Sequence, residues 1–246
     1  MGLCRTADVH EIINYLSASC ACFAECCYIC NAYRHFSLNS HNYGKSAGSV
    51  RKTGGFAKGD ATFKGSVGGL RGLATMAHKD VYREVKSAIS RYHSVLGVRQ
   101  REVKLGDLPD SYNGVHLTGK ADGKSHQIVL NAKVFDMKKS EIVARTRKAY
   151  ETGWSTKTNK PIAHTVTHEL AHATWNSHLK GKAQKAAGKE IQQVYKEWRK
   201  KKRAGYGDYS QTNVNEFFAE AITKRVHGKK DKWNKALYSI VKKYNL

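Results

Sequence analysis

The chain has 246 residues and is 40% hydrophobic, enough for one large domain with its own core, alone or with an extension. Its formal net charge of +23 attracts nucleic acid, anionic lipid or acidic protein surfaces, although such a charge also simply raises solubility. All six cysteines fall in the first 30 residues, which excludes a main domain held together by disulfides and fits folding in a reducing compartment.

The first 36 residues differ in composition from the rest of the chain. A helix is predicted over 8–34, because apolar side chains recur near helical spacing. Its cysteines follow the pattern C-x-C-x3-C-C-x2-C, which matches no zinc-binding pattern, so we favour reduced thiols over a bound metal. The predicted organisation is a Cys-rich N-terminal helix over 1–36, a linker over 37–74 and a main domain over 75–246.

The N-terminus does not read as a secretory signal peptide, since Asp8 stands where such a peptide carries positive charge. Glu25 interrupts the apolar run, which makes it a poor transmembrane span. The opening MGLCRT fits the pattern for lipid anchoring, with a myristoyl group on Gly2 and a palmitoyl group on Cys4. Two lipids would give stable membrane attachment where one would not.

Residues 37–74 have the composition of a flexible linker or an irregular wrapping segment. From residue 44 to residue 74, nine of 31 residues are glycine, which is entropically costly to order and breaks helices. A phosphate-binding glycine loop is the sharper alternative, but the run GGFAKGDATFKG lacks the G-x-x-x-x-G-K-[ST] pattern.

The main domain opens on an amphipathic helix and a hairpin. The helix is predicted over about 76–96, where apolar residues form one stripe at helical spacing. Two β-prone runs, 115–118 and 127–130, flank Asp122-Gly123, a dipeptide that indicates a hairpin between such runs. A further helix over about 138–150 follows.

The C-terminal half is predicted to be mostly helical, because only two prolines occur in the whole chain. One of them, Pro161, can open a helix. A strongly basic helix follows over 180–203, and the last two helices cover about 214–226 and 232–244. The predicted fold class is α+β: mostly helical, with a small antiparallel hairpin or sheet.

The helix that opens at Pro161 contains the sequence THELAHATW, an H-E-x-x-H motif. Residues four apart share a helix face, so His168 and His172 can offer two imidazole nitrogens to one metal ion. Zinc accepts such ligands in a tetrahedral site, and Glu169 stands where its carboxylate can take a proton from an attacking water. The alternative is a helix with two satisfied surface histidines.

A catalytic zinc needs a third protein ligand and an open fourth position, and two candidates compete for the third. His178 has the metzincin spacing, but Trp175 replaces the glycine that would turn the chain back towards the metal. Glu216 and Glu220, four apart beside two phenylalanines, share one helix face and are the stronger candidates. A local alternative is a capping box, with Asn213 as N-cap and Glu216 at N3.

The pair HELAH and YSQTNVNEFFAEAI resembles the catalytic domain of the anthrax lethal factor family, whose relatives include phage-encoded head-associated proteins and polymorphic toxins. The resemblance covers about residues 105–226, and its specific stretches are 164–176 and 206–223. It implies a zincin-like metallopeptidase domain with one zinc ion. The implied zinc ligands are His168, His172 and Glu216.

The same resemblance assigns roles to three further side chains. It implies Glu169 as the general base and Tyr209 as the hydrogen-bond donor to the developing oxyanion. Glu220 would orient a histidine ligand through a hydrogen bond. The chain departs from the family at Ala171, where glycine often precedes the second histidine.

Zincin-like folds use a strand beside the active-site helix to bind peptide substrate through backbone pairing. The run 125–131 is predicted to be that strand. The candidate substrate-binding residues are Ser125, Gln127 and Val129.

The sequence therefore predicts a gluzincin-like zinc endopeptidase that acts on a protein or peptide substrate as a toxin, an effector or a phage-associated protease. The alternative is a non-catalytic zincin-like module that binds nucleic acid or a capsid protein through its basic surface. Expected locations are the cytoplasm, a virion or the interior of a target cell. No oligomeric state is indicated.

Overall fold

The computed structural model describes residues 67–98, 100–117, 127–175, 181–201 and 205–246, which form an α+β domain. Its strands are β1 (Gly68–Gly72), β2 (Val103–Asp107), β3 (Gly114–Leu117) and β4 (Gln127–Asn131). Its α-helices are α1 (Lys79–Leu96), α2 (Ala132–Phe135), α3 (Lys139–Glu151), α4 (Pro161–Trp175), α5 (Gly181–Arg199), α6 (Val214–Val226) and α7 (Lys232–Tyr244). The predicted helix over 1–36, the lipidation candidates Gly2 and Cys4, and Ser125 lie outside these residues. Within them, no helix is both long and apolar enough to cross a membrane.

The described strands form one sheet in the order β1-β2-β4-β3. The strands of the predicted hairpin are confirmed, because β3 and β4 pair antiparallel with Val115 opposite Val129. The sheet is not antiparallel throughout, however, since β2 and β4 run parallel with Leu105 beside Leu130. All five residues of β4 are buried, which fits its unbroken apolar core of Ile, Val and Leu.

The end of the predicted linker is a strand. Gly68–Gly72 forms β1, which pairs antiparallel with β2 across an irregularity in register. Gly69 has a φ of +56°, and a Cβ there would lie 2.4 Å from a carboxylate oxygen of Asp107. This glycine therefore permits a bulge and a close approach to Asp107, so the prediction of a linker through residue 74 is wrong for the β1 residues.

The helices lie close to their predicted positions. α4 begins at Pro161, as predicted, and α6 covers the predicted residues 214–226. The side chain of Asn213 caps α6 by accepting hydrogen bonds from the backbone N–H groups of Asn215 and Glu216, at 2.9 and 3.0 Å. α1 begins three residues later than predicted, because His78 is still extended, with φ −114° and ψ 116°.

Helix α4 lies in the interior, packed against α1, α6 and the strands β3 and β4. Helix α6 lies between α4 and α5 and contributes one phenylalanine to each side. Phe218 meets Trp175 of α4 with ring centroids 5.2 Å apart, and Phe217 stacks on Trp198 of α5 at 4.5 Å. These contacts fix the rotation of α6 and hold the face that carries its glutamates against α4.

Candidate metal centre

Three predicted ligands converge between α4 and α6. The Nε2 atoms of His168 and His172 lie 3.0 Å apart. An oxygen of Glu216, Oε2, lies 3.0 Å from Nε2 of His168 and 3.2 Å from Nε2 of His172. These three residues form a group that can hold a metal ion. The capping-box alternative is half right: Asn213 does cap α6, but the Glu216 carboxylate faces the histidines.

The size of this triangle fits a small tetrahedral cation. Zinc bonds to imidazole nitrogen and carboxylate oxygen at about 2.0–2.2 Å, which places tetrahedral ligand atoms roughly 3.3 Å apart. The observed edges of 3.0, 3.0 and 3.2 Å lie within a few tenths of an ångström of that value. Little rearrangement would therefore be needed for His168, His172 and Glu216 to hold such an ion.

The second nitrogen of His168 gives independent support for a cation at this point. Its Nδ1 lies 2.9 Å from Oε1 of Glu220, so a neutral ring places its proton there. Its Nε2 would then present a lone pair to the Glu216 carboxylate, where two acceptors face each other at 3.0 Å. A proton or a metal ion between them removes the conflict.

The shifted pKa values of His168 and Glu220 also indicate that this site favours a positive charge. Burial opposes the charged form of His168, but the carboxylates of Glu216 and Glu220 outweigh burial and raise its pKa well above the usual value. Burial likewise opposes the charged form of Glu220, yet His164 and His168 hold its pKa well below the usual range. Metal binding at His168 therefore competes with a proton.

His164 belongs to this network, and the sequence reasoning missed it. Its Nε2 lies 3.1 Å from Oε1 of Glu220, the same oxygen that accepts from His168. The signal was present, because His164 lies four residues before His168 and so shares its helix face. The group of His164, His168 and Glu220 can also hold a metal, but two imidazole N–H donors already satisfy that oxygen. We therefore interpret it as a hydrogen-bonded support of the first group.

His227 extends the support to the end of α6. Its ring stacks on that of His164, with centroids 6.4 Å apart and planes at 11°. Its Nε2 lies 3.2 Å from the hydroxyl of Thr167 on α4. Burial, followed by the electrostatic effect of the neighbouring His164 ring, lowers the pKa of His227 to about 4.

Glu169 lies where α4 passes the edge of the sheet. A Cβ built on Gly114, the first residue of β3, would lie 3.0 Å from Cγ of Glu169. The side chain of Glu169 therefore lies against the start of β3. The predicted general base therefore lies beside β3 and not beside the run 125–131 that was predicted to bind substrate.

Tyr209 lies in a 3-10 turn, Asp208–Gln211, with its ring centroid 5.8 Å from that of His168. The backbone of Gly153 and Trp154 positions this turn, accepting hydrogen bonds from the N–H groups of Asp208 and Tyr209, both at 2.9 Å. Burial, followed by the charges of Glu216 and Glu169, raises the pKa of Tyr209 well above its usual value. Its hydroxyl therefore keeps its proton and can donate a hydrogen bond.

The predicted substrate strand is wrong. Gln127 and Val129 belong to β4, which has β2 on one edge and β3 on the other. A strand paired on both edges has no free N–H and C=O groups for a peptide. Within the described residues β3 is the terminal strand on this side, and it also contacts α4.

The competing third ligand gains no support. Trp175 is the last residue of α4, and its ring packs on Phe218 in the core. The position of the metzincin glycine therefore holds a core residue, while His178 lies outside the described residues.

Comparison of the chain with family models, curated proteins and solved structures gives no match. The geometry of the site is thus the basis for a functional proposal.

Proposed function

We propose that this protein is a zinc-dependent endopeptidase with His168, His172 and Glu216 as its zinc ligands. The observation that carries the proposal is the triangle of three ligand atoms, with edges of 3.0–3.2 Å, contributed by two separate helices. The shared carboxylate of Glu220 behind His168 supports it, because metal-binding histidines usually donate their other N–H to such a group. The fold would then be zincin-like, as the resemblance to the lethal factor family implies.

The surrounding side chains match the steps of peptide hydrolysis. His168, His172 and Glu216 would hold a zinc ion, which would supply Lewis-acid chemistry to a water and to the scissile carbonyl. Glu169 accepts the proton of the attacking water and passes it to the leaving amine. Tyr209 donates a hydrogen bond to the oxyanion that develops on the carbonyl oxygen.

The substrate would bind as an extended strand along the outer edge of β3. That edge starts at Gly114, directly against Glu169, so a peptide paired there passes the general base. Trp154 is 39% exposed, and its ring lies 5.6 Å from that of Tyr209. It offers an apolar contact to a substrate side chain next to the scissile bond.

A second candidate function is binding without catalysis. The observation in its favour is the net charge of +23, which no peptidase mechanism requires. A zincin-like module of this kind would bind a polyanion and would leave peptides intact.

Elemental analysis and a cleavage assay test the first proposal. Wild type, Glu216→Ala, Glu169→Gln and the surface control Glu190→Ala are purified without added metal. We expect about one zinc per chain in wild type, Glu169→Gln and Glu190→Ala, and much less in Glu216→Ala. Peptide cleavage should be lost in Glu169→Gln and kept in Glu190→Ala. Folded wild type without zinc would refute the enzyme proposal.

A further inference from the structure

Helix α5 presents one face made of lysines. At 100° per residue, these side chains fall within an arc of about 60°, and the row is roughly 27 Å long. All are exposed, and the last follows directly after the helix. We call this row the lysine face: Lys182, Lys185, Lys189, Lys196 and Lys200.

Among the described residues, the lysine face carries no compensating charge. Glu190 and Glu197, the two acidic residues of α5, project beyond the arc. Glu190 accepts hydrogen bonds from Lys243 and Tyr244 of α7, both at 2.6 Å, and Glu197 accepts one from Gln193 at 2.8 Å. In the described part of the chain, no ion pair involves a lysine of this face.

The fold directs this face away from the candidate metal centre. The opposite side of α5, with Ile191, Tyr195 and Trp198, is buried, and α5 packs on α6 and α7. Since α6 separates α5 from α4, the lysine face and the metal centre lie on different sides of α6. Helix α7 beside it adds four lysines and no acidic residue. Across 181–201 and α7 there are eleven basic residues and two acidic ones.

The residue types on the lysine face indicate which class of anionic partner it fits. A helix that binds a membrane surface carries Trp, Phe or Leu to insert beside its basic residues, and a site for single-stranded nucleic acid uses exposed aromatic rings for stacking. The lysine face has neither, and the residue beside its lysines on the exposed arc is Gln193. A straight row of point charges instead matches a regular row of phosphates.

We propose that the lysine face binds the phosphate backbone of double-stranded DNA without sequence preference. Its length of roughly 27 Å corresponds to about eight base pairs at 3.4 Å each. Five phosphate contacts would give a slope of about −4.5 for log affinity against log salt concentration. This binding is independent of the proposed peptidase activity.

Fluorescence anisotropy of the full chain with a labelled 20-base-pair DNA duplex, between 50 and 200 mM salt, tests the proposal. One variant changes all five lysines of the lysine face to glutamine. The matched control removes the same charge elsewhere, by changing Lys79, Lys86, Lys148, Lys157 and Lys229 to glutamine. We expect the first variant to bind the duplex more than about tenfold more weakly than wild type at 50 mM salt. Its slope of log affinity against log salt concentration should be shallower by about 4, whereas the control should keep the wild-type slope.

Three results would overturn the proposal. An equal loss in both variants would show that net charge alone attracts DNA. Equal affinity of wild type for single-stranded DNA would contradict a duplex site. If the first variant no longer bound phosphatidylserine vesicles but bound the duplex as wild type does, the lysine face would be a membrane-binding surface.

A second variant changes only Lys182, Lys189 and Lys196 to glutamine. Its slope of log affinity against log salt concentration should be shallower by about 2.7, so the test does not depend on the folding of the fivefold variant.

Discussion

At the scale of single residues, one carboxylate oxygen joins the candidate metal centre to the core. Oε1 of Glu220 accepts from His168 at 2.9 Å and from His164 at 3.1 Å, and the residue is only 2% exposed. Two charge-assisted hydrogen bonds to one buried oxygen fix the ring of His168 in the orientation that directs Nε2 towards Glu216. The Nε2 atom of His168 is thus held in place by groups that would not themselves touch a bound ion.

Glu220→Gln should weaken zinc binding by about 10–100-fold, because a neutral amide supports the basicity and orientation of His168 less than a carboxylate does. Competition with a chelator of known affinity measures the loss. Glu190→Gln, a surface change on α5, serves as the control and should bind zinc as wild type does. Unchanged affinity in Glu220→Gln would mean that packing alone orients His168.

His227 should make the metal-free protein less stable in mild acid. Its pKa is lowered to about 4 in the folded state from the usual 6.5, so the unfolded chain binds the proton more readily. Stability from this group is present above pH 6.5 and is lost as the pH falls from 6.5 towards 4. Urea unfolding of wild type and His227→Gln at pH 7.5 and pH 5 measures it. The variant should lose less stability between the two values, and an equal loss would contradict the prediction.

At the scale of elements, the approach of β3 to α4 determines where Glu169, the proposed general base, lies. A glycine leaves room for this approach, since a Cβ on Gly114 would lie 3.0 Å from Cγ of Glu169 and 3.3 Å from Cδ2 of Leu130, and these side chains would have to shift by a few tenths of an ångström. Gly72, at the end of β1, provides the contrast: nothing lies within 4 Å of its Cβ position. Among the described residues, a side chain at Gly114 would therefore press on Glu169, whereas one at Gly72 would have no such neighbour.

Gly114→Ala should therefore lower kcat by about tenfold or more while leaving the zinc content unchanged, because a displacement of well under 1 Å at Glu169 is enough to disturb proton transfer. Steady-state kinetics with a fluorogenic peptide and elemental analysis give the two readouts. Gly72→Ala should leave both near wild type. Full activity in Gly114→Ala would show that Glu169 has room to move or takes no part.

Local signals in the sequence predicted the helices and most of the side chains that converge between α4 and α6. The spacing of His168 and His172, the spacing of Glu216 and Glu220, and the cap at Asn213 are all encoded within four residues. Long-range pairing was not predictable in this way. Nothing near β1 shows that its glycines permit a bulge against Asp107, and nothing in β4 shows that a strand lies on each of its edges.

At the scale of the whole molecule, α6 separates two regions of different character. On one side are the buried histidines and carboxylates of the candidate metal centre, and on the other are the five lysines of the lysine face, for which the described residues provide no ion-pair partner. A net charge of +23 acts over both regions and should favour acidic substrates. The arrangement implies that DNA can be bound without covering the proposed catalytic site.

Saturating 20-base-pair duplex DNA should therefore change kcat for a short uncharged peptide by less than about twofold, since its site lies across α6 from Glu169 and no contact with the reacting groups is lost. For an acidic peptide, the same DNA should lower kcat/KM in wild type, because bound phosphates neutralise part of the field that attracts the substrate. The fivefold lysine-face variant should show little of this inhibition. DNA that lowers kcat for the uncharged peptide equally in wild type and in the variant would place its binding site at the proposed catalytic site itself.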